Sequence, residues 1–404
     1  MFSRISDRNI WVVYGAILLL GLGYGSALSV LAVFLGNRGF GKTEIGLLGT
    51  AFGLGLICFS LPMGALIRRF SARATLIASL VVYIGAVVVF PFLDSLRAMA
   101  LVRFLDGASS VGVWVCCETI LLSRAERQNK AFVTSLYALS LALGYILGPF
   151  GAKLIVALLP MRAVFFAAGG LAVLALLLVL LRLDPDKAGG EGGEGEAPAA
   201  DAGATKTSAL AIFAQVKTSC FATFSYGYFQ AAVVLFLPPY LIEQKGVTEG
   251  QTILVPAFFA AGMLGFANFA GRLGDRHGHL FVMRLLALVG AVMILGFVYL
   301  GSYAVMCGAV FIAGASLASI SPVSLALQGV IVRHEDLSRA NAIYNAFYAA
   351  GILLGPAISS ILFKRWGGPT MLWHFAILWA VFIAFTLIFA GDDPARRKAG
   401  DTTR

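Results

Sequence analysis

Charged side chains are scarce in this 404-residue chain, in which Asp, Glu, Lys and Arg together make up 12% of the residues. A typical soluble domain carries about 25% charged residues. Hydrophobic residues make up 59%, so too few polar side chains remain to cover a surface that faces water. The apolar excess must therefore face lipid. The same composition excludes a disordered chain and a disulfide-stapled secreted scaffold.

The sequence also lacks the patterns that hold metals and nucleotides. Its five cysteines lie inside long apolar runs, without the spacing of zinc ligands and without a nearby histidine cluster. We interpret them as small core residues. No G-x-x-x-x-G-K-[ST] loop is present, so the chain has no ATP site of that kind. We expect no cofactor, no metal site and no catalytic centre, and therefore not an enzyme.

Long apolar runs fill the rest of the chain. A membrane-spanning helix needs about 20 apolar residues, because the hydrocarbon layer is about 30 Å thick and a helix rises about 1.5 Å per residue. Runs this continuous exclude alternating strands, so we predict an all-α membrane protein with twelve transmembrane helices. The predicted spans are 10–35, 44–67, 74–93, 97–122, 131–158, 163–183, 217–242, 248–270, 280–300, 304–331, 340–362 and 370–391.

The order of these spans predicts three regions: an N-terminal six-helix bundle at 1–183, a cytoplasmic linker with a short surface segment at 184–216, and a C-terminal six-helix bundle with a cytoplasmic tail at 217–404. The linker is rich in Gly, Ala and acidic residues, a composition typical of flexible connections. Lys and Arg are concentrated in the loops on the side of the termini. The chain is thus predicted to be a multi-pass protein of the plasma (bacterial inner) membrane, with both termini in the cytoplasm.

An internal repeat relates the two halves at one constant spacing of 207 residues. The matching pairs are Gly39 with Gly246, Gly64 with Gly271, Gly107 with Gly314, Tyr137 with Tyr344, Gly144 with Gly351, Gly148 with Gly355, and Pro149 with Pro356. Because each half has an even number of spans, both halves keep the same orientation in the membrane. Parallel repeats of this kind are typical of transporters whose site lies between the halves. We expect two pseudo-symmetric bundles.

The loop after the eighth span carries a motif with a family resemblance. It reads Gly271-Arg-Leu-Gly-Asp275-Arg276-His-Gly278-His279 and resembles the G-x-L-x-D-R-x-G-R motif of the major facilitator superfamily. The resemblance implies the major facilitator fold and a cytoplasmic gate at Gly271, Asp275 and Arg276. Gly271 would allow close helix approach, and Asp275 would accept hydrogen bonds at a helix N-terminus of the other half. The alternative is a basic turn that only fixes topology.

The first-half copy of this motif departs from the family pattern. It begins at Gly64 and keeps Arg69, but Arg68 stands where the family has Asp, and Ser71 replaces a glycine. Whether this altered copy still acts as a gate stays open.

Two further motifs resemble those of the same superfamily, and the second of them is typical of its drug/proton exporters. Arg103 and Gly107 match the Arg-x-x-x-Gly spacing of the family's fourth helix, which is tied to proton coupling. Gly144, Gly148 and Pro149 resemble the fifth-helix motif of exporters and recur at Gly351, Gly355 and Pro356. Glycines on one face let helix backbones meet, and an internal proline bends a helix. These residues could serve as hinges or only as packing positions.

The fourth predicted span holds three ionisable residues: Arg103, Asp106 and Glu118. The equivalent positions of the second half are Val310, Ala313 and Leu325, so coupling chemistry is predicted in the first half. Arg103 and Asp106 are spaced to pair on one helix face, and the pair could also be purely structural. Burial disfavours the charged form of a carboxylate, so an isolated Glu118 could load and release a proton. Alternatively, Glu118 lies near the headgroups.

Aromatic residues with few polar partners are predicted to line the substrate pocket. The candidates are Tyr24, Tyr226, Gln230, Asn341, Asn345 and Tyr348. Such a lining suits amphipathic or hydrophobic cargo. We therefore predict proton-coupled export of small amphipathic compounds by a monomer that works by alternating access. An importer of a sugar or carboxylate, a lipid translocator, and a receptor or assembly factor without transport remain alternatives. The net charge of +10 indicates topology and contact with anionic lipid rather than nucleic acid.

Overall fold

The computed structural model describes residues 7–126, 129–185, 208–333 and 336–392, and these ranges contain helices without a strand. The predicted linker at 186–207 and the predicted tail at 393–404 lie outside the described residues. The helices are α1 (Arg8–Asn37), α2 (Lys42–Phe70), α3 (Ala72–Val89), α4 (Leu96–Arg124), α5 (Lys130–Leu158), α6 (Arg162–Arg182), α7 (Ala209–Lys245), α8 (Glu249–Thr252), α9 (Val255–His277), α10 (His279–Phe297), α11 (Tyr303–Leu317), α12 (Ile320–Ile331), α13 (Leu337–Trp366) and α14 (Gly368–Ile388).

Twelve stretches of the described chain are helical, long and apolar enough to cross a membrane, which confirms the predicted all-α membrane fold with twelve spans. Two of these stretches contain two α-helices each: α8 with α9, and α11 with α12. A proline lies in the first turn of the second helix in both, at Pro256 and Pro322. Proline lacks a backbone N–H, so it fits the first turn of a helix better than the interior.

The first compact unit takes in Met1–Glu194 and Val234–Ala257. Inside it, α1 packs against α5 and α6, α2 against α4, and α3 against α4 and α6. The helix α4 also touches α1 and α5, so it has neighbours on most of its circumference. A side chain on the covered faces of α4 therefore lies inside the bundle.

The second compact unit takes in Gly195–Val233 and Phe258–Arg404. Here α10 packs against α11, α12 and α14, and α13 packs against α14. Aromatic rings of α14 fill the core against α7: Phe382 lies 5.9 Å from Phe221, and Phe375 lies 5.3 Å from Phe229, between ring centroids. The predicted boundaries at 183 and 217 stay a prediction, and the segment Val234–Ala257 groups with the first unit.

The end of the predicted linker and surface segment at 184–216 belongs to a transmembrane helix. From Ala209 onward its residues are the first turns of α7. Ile212 and Val216 are buried in a hydrophobic cluster with Cys220, Val332 and Ala340. The region between α12 and α13 covers the apolar side of this segment. The segment is therefore the first part of α7 and is packed against the second unit.

The predicted repeat is visible in the way that helices cross. A Cβ atom on Gly55 of α2 would come within 3.0 Å of the backbone oxygen of Phe104 in α4. In the second unit a Cβ on Gly262 of α9 would come equally close to the backbone oxygen of Phe311 in α11. Gly55 and Gly262 are 207 residues apart in the sequence, and so are Phe104 and Phe311. The two bundles are therefore pseudo-symmetric in their closest helix contacts.

In each unit a polar side-chain contact also joins the first helix to the residues that follow the last helix. In the first unit the Asn9 side chain donates to Asp184 Oδ2 at 3.0 Å and accepts from the Asp184 backbone N–H at 2.8 Å. In the second unit Lys217 Nζ lies 2.9 Å from Asp392 Oδ2. Both contacts join residues 175 positions apart. Lys217 and Asp392 each lie one position beyond the 207-residue equivalents of Asn9 and Asp184, so the second unit has a similar contact that is shifted by one residue and differs in chemistry.

Candidate functional site

The Arg103–Asp106 ion pair lies inside the first unit. Both residues are on α4 at i and i+3, and their side chains are only 9% and 14% exposed. The Arg103 guanidinium also lies over the ring of Phe52 on α2, 4.6 Å from its centroid. Because the cation and the anion are buried together, each offsets part of the desolvation cost of the other. The equivalent Val310 and Ala313 of the second unit are buried and apolar.

Hydrogen-bonding groups continue from this pair toward α1. Asp106 Oδ1 lies 3.5 Å from Ser110 Oγ, at the limit of a hydrogen bond. Ser110 Oγ lies 2.7 Å from the hydroxyl of Tyr24. The Tyr24 ring is surrounded by the rings of Tyr83, Trp114 and Tyr145, with centroids 4.6, 6.4 and 6.5 Å away. Tyr24 therefore belongs to an aromatic cluster inside the first unit, next to the ion pair.

Glu118 lies on α4 at a position that other helices leave uncovered, while the preceding Cys117 is buried. Its expected role as a carboxylate buried in the membrane stays a prediction. Glu118 makes no hydrogen bond or ion pair with the described residues. Twelve residues of helix separate it from Asp106, which is about 18 Å along the axis. Asp106 and Glu118 are therefore two separate carboxylates rather than one cluster.

The second-half gate motif lies at the junction of α9 and α10. Asp275 and Arg276 are both exposed in the last turns of α9. Asp275 Oδ1 lies 3.4 Å from Nε2 of the buried His279, the residue that stands at the motif's last basic position. Gly271 lies within α9, and a Cβ there would meet nothing within 4 Å. The expected role of Gly271 in close helix approach is therefore not supported by its surroundings.

The first-half copy has the same backbone shape with a different residue. Ser71 has φ 80°, while its equivalent Gly278 has φ 93°. Ser71 is the single non-glycine residue with positive φ in the described part of the chain. Gly64 is open to substitution except for the end of the Arg68 side chain, and Arg69 lies over the ring of Phe70 at 5.2 Å. The altered motif keeps its turn at the cost of backbone strain.

We expect Ser71→Gly to stabilise the protein. The conformation of Ser71, with ψ 156°, is one that glycine adopts freely and that costs other residues about 1–3 kcal/mol. The substitution also removes the bond that Ser71 Oγ accepts from the Ala74 N–H, but glycine is a tolerable helix cap and the loss is a few tenths of a kcal/mol. Thermal unfolding in detergent should show a higher melting temperature for Ser71→Gly. Ser71→Ala is the control, since it keeps the strain and loses the cap; a gain with Ala as well would contradict the strain argument.

The glycine motifs of α5 and α13 are packing positions. A Cβ on Gly144 or Gly148 would come within 3.0 Å of the backbone of α1, and a Cβ on Gly351 or Gly355 would come within 3.0 Å of the backbone of α7. Pro149 and Pro356 follow inside the same helices. Close backbone contact explains these glycines, and a hinge at the prolines stays a prediction.

Three predicted pocket residues come together in the second unit. The Tyr348 hydroxyl donates to Gln230 Oε1 at 2.8 Å, and the rings of Tyr348 and Tyr226 stack with centroids 6.1 Å apart. Asn345 and Asn341 lie on the preceding turns of α13 and are exposed. The Asn341 amide oxygen accepts a hydrogen bond from the buried Gln328. Tyr24, the remaining candidate, lies in the aromatic cluster of the first unit.

Two polar residues inside the spans escaped the sequence reasoning. Arg284 of α10 donates to the backbone oxygen and the hydroxyl of Thr386 at the end of α14. His374 of α14 lies 3.2 Å from the Tyr228 hydroxyl and 3.4 Å from Ser359 Oγ. Both lie inside the predicted spans, so a count of every polar residue in all twelve spans would have found them. No group of three metal-ligating side chains occurs in the described ranges.

Twelve apolar spans, a six-helix repeat and buried charges in one central helix define a multi-pass integral membrane protein of the transporter class. The family model of the Major Facilitator Superfamily matches residues 13–219 and again residues 219–404. The chain therefore belongs to the Major Facilitator Superfamily. It is a secondary transporter rather than an enzyme, and its family works by alternating access.

Known proteins agree with this assignment over almost the whole chain. An MFS-type transporter of Enterobacter sp. (strain 638) is 23% identical over 390 residues, which cover 96% of this chain and 97% of that protein. The crystal structure of a mutant of the nucleoside transporter NupG has a TM-score of 0.74 at 13% identity, and the match covers 95% of this chain and 98% of that one. A bacterial homologue of the human lysosomal transporter Spinster has a TM-score of 0.75 at 12% identity, covering 95% and 96%. The likeness to the two solved structures shows the fold alone.

Proposed function

We propose that this chain is a proton-coupled exporter of small amphipathic compounds. The observation that carries the proposal is the buried Arg103–Asp106 pair, present in the first unit and replaced by Val310 and Ala313 in the second. Buried charges within a membrane span are costly, and a pair of them in one half alone needs a role beyond holding the common fold.

The proton step would take place at Asp106. When its carboxylate binds a proton, the pair with Arg103 loses its Coulomb attraction, and Arg103 is left as an uncompensated buried cation. The protonated and ionised forms therefore favour different surroundings for α4. Proton binding to Asp106 and a conformational change around α4 are therefore coupled. The free energy by which protonation favours the changed conformation equals the free energy by which that conformation favours protonation. Glu118, on the same helix, would serve as a second carboxylate of the route.

The cargo would contact the aromatic group of the second unit. Tyr226 and Tyr348 present stacked rings, and Gln230 presents a single amide next to them. Flat apolar surfaces with one hydrogen-bonding group fit compounds that have a hydrophobic body and one polar end. Such compounds partition into membranes, from which an exporter would remove them.

The proposal includes an orientation. Basic residues such as Arg68, Arg69 and Arg276 lie at the end of the helices where the chain begins, so both termini would lie in the cytoplasm of a bacterial inner membrane, beside anionic lipid. Asp275 with His279 would then belong to a cytoplasmic gate. Lys42 of α2 and Glu243 of α7 form a 2.7 Å ion pair in the first unit, at the opposite end. A monomer is sufficient for this mechanism.

Proteoliposomes with an imposed pH gradient test the proposal. We expect the protein to move a fluorescent amphipathic dye against the proton flow, and Asp106→Asn and Glu118→Gln to reduce this movement to the level of empty liposomes. Asp94→Asn is the matched control, because Asp94 is an exposed carboxylate that pairs with Arg38 outside the span, and it should keep normal transport. Normal transport by Asp106→Asn would remove this residue from coupling.

The direction of dye movement separates the alternatives. Dye that moves in the same direction as the protons would replace export by import. Flipping of a fluorescent lipid without dye movement would favour a lipid translocator. If neither compounds nor protons move across a broad panel, a receptor or assembly factor becomes the better function.

A further inference from the structure

Four arginines lie together at one end of the first unit. Each of them stands at or next to the end of a membrane-spanning stretch: Arg8 in α1, Arg73 in α3, Arg124 in α4 and Arg182 in α6. Side chains at the ends of spans lie at the level of the lipid headgroups. These four residues, called the arginine group below, therefore lie where the membrane meets water.

The arginine group converges on the end of α6. It donates three hydrogen bonds to backbone oxygens there: Arg8 Nη2 to Arg182 at 2.9 Å, Arg73 Nη2 to Leu180 at 3.0 Å, and Arg124 Nη2 to Asp184 at 3.3 Å. The last carbonyls of a helix have no partner within the helix and carry partial negative charge, so they attract cations. These bonds hold three guanidinium groups within five residues of chain.

The helix end and the nearby acids do not use up the charge of the arginine group. Asp184 lies 3.9 Å from Arg8, and Asp7 lies 3.5 Å from Arg124, so four positive and two negative charges leave a net charge of +2. The Arg8 side chain is 62% exposed. Arg182 is also exposed, and its side chain makes no hydrogen bond or ion pair with the residues that the structure describes. A guanidinium has five N–H donors, so both arginines can bind a further acceptor.

The second unit shows that a helix end in this fold does not require four arginines. The positions 207 residues further along hold Gln215, Leu280, Ile331 and Phe389. There the end of α14 accepts from Arg284, and Lys217 pairs with Asp392, which leaves a net charge of +1. The additional cations of the first unit therefore call for an anion from outside the described chain.

An uncovered apolar face of α6 leads away from the arginine group into the membrane. Leu174, Leu177 and Leu181 are spaced i, i+3 and i+7, so they share one face of the helix, and they are 53%, 44% and 75% exposed. An apolar face that other helices leave uncovered within a span contacts acyl chains. A free anion would satisfy the charges alone, whereas a molecule with an anionic head and an apolar tail fits both surfaces.

We propose that this end of the first unit is a binding site for an anionic phospholipid. The phosphate binds Arg8 and Arg182, and an acyl chain lies along the leucines of α6. Arginine suits a phosphate because its planar guanidinium donates two parallel hydrogen bonds to the oxygens. The lipid stabilises the protein because it binds the folded state, in which α1 and α6 present their arginines together. The site does not depend on the proposed transport activity.

Native mass spectrometry of the full chain tests the site, with protein released from nanodiscs that contain equal amounts of phosphatidylglycerol and phosphatidylcholine. The parent should keep phosphatidylglycerol after phosphatidylcholine has been removed. Arg182→Gln should weaken this retention about fivefold, and Arg8→Gln/Arg182→Gln by about the square of that factor, because a basic residue near anionic lipid contributes about 1 kcal/mol. Arg272→Gln is the matched control, since Arg272 is an exposed arginine of the second unit, and it should keep the lipid. Equal losses in Arg182→Gln and Arg272→Gln would reveal only general attraction to anionic lipid and overturn the site.

Thermal unfolding in detergent separates a lipid from a free anion. Added phosphatidylglycerol should raise the melting temperature of the parent, and should raise that of Arg182→Gln less. Inorganic phosphate at the same concentration should leave both unchanged; an equal rise with phosphate would assign the site to a free anion and overturn the lipid. A parent that keeps no phosphatidylglycerol in preference to phosphatidylcholine would also overturn it, and the acidic residues that follow Pro185 in the sequence would become the better partner of the arginine group. None of these measurements requires transport, so they decide the site even if the proposed function fails.

Discussion

Arg103→Met should destabilise the protein by about 3–5 kcal/mol, the usual cost of removing one partner from a buried ion pair. The substitution keeps most of the side-chain volume and leaves Asp106 without its cation. The loss should shrink as the pH is lowered, because a protonated Asp106 carries no charge that has to be buried. Thermal unfolding in detergent at several pH values measures both the loss and its pH dependence.

The double variant Arg103→Met/Asp106→Leu is the control for this effect. Replacing both partners by apolar residues of similar volume is often neutral or stabilising, so the double variant should regain most of the lost stability. Proton-driven transport should stay absent in it, since no group remains to bind the proton. A double variant with normal proton-driven transport would reduce the pair to a structural element. A single variant as stable as the parent would show that the pair is not buried in the membrane.

The fold followed closely from the sequence because its signal is spread over long segments. Twelve apolar runs of about 20 residues are required by the thickness of the bilayer, and their number was confirmed. The 207-residue spacing predicted which glycines would be equivalent, and Gly107 and Gly314 indeed meet equivalent backbone atoms of Phe52 and Phe259. The sequence could not locate breaks inside a span, such as the one before Pro322, because a proline in an apolar run is compatible with a bend or a break.

The candidate site followed less closely, since it depends on which face of each helix is covered. Arg103 and Asp106 were placed correctly on one face because their spacing alone decides it. For Glu118, periodicity could not say that other helices leave this end of α4 uncovered, and its burial in the membrane stays a prediction. Gly271 is the glycine of the family motif, but a Cβ at this position would have no neighbour within 4 Å.

Helix crossings at glycine should be the other sensitive points of the fold. Gly262→Ala places a methyl group within 3.0 Å of the backbone oxygen of Phe311 and of the backbone nitrogen of Ala315. Backbone atoms cannot rotate away, so α9 and α11 must separate, and we expect a loss of at least about 1–3 kcal/mol. Gly55→Ala should cost a similar amount, because its Cβ would meet Phe104 and Ala108 in the same way. Thermal unfolding of the purified variants in one detergent provides the comparison.

Gly265→Ala provides the matched control on the same helix as Gly262. A Cβ at Gly265 meets nothing within 4 Å, so this variant should be neutral or gain up to about 1 kcal/mol from the higher helix propensity of alanine. If Gly262→Ala and Gly265→Ala unfold at the same temperature, the close crossing is not needed. If Gly262→Ala lowers the stability but Gly55→Ala does not, the close helix crossing is required in the second half and not in the first, although both halves have a glycine there. Equal losses at both would show that each six-helix unit depends on its own crossing, since the contact is repeated within each unit rather than shared.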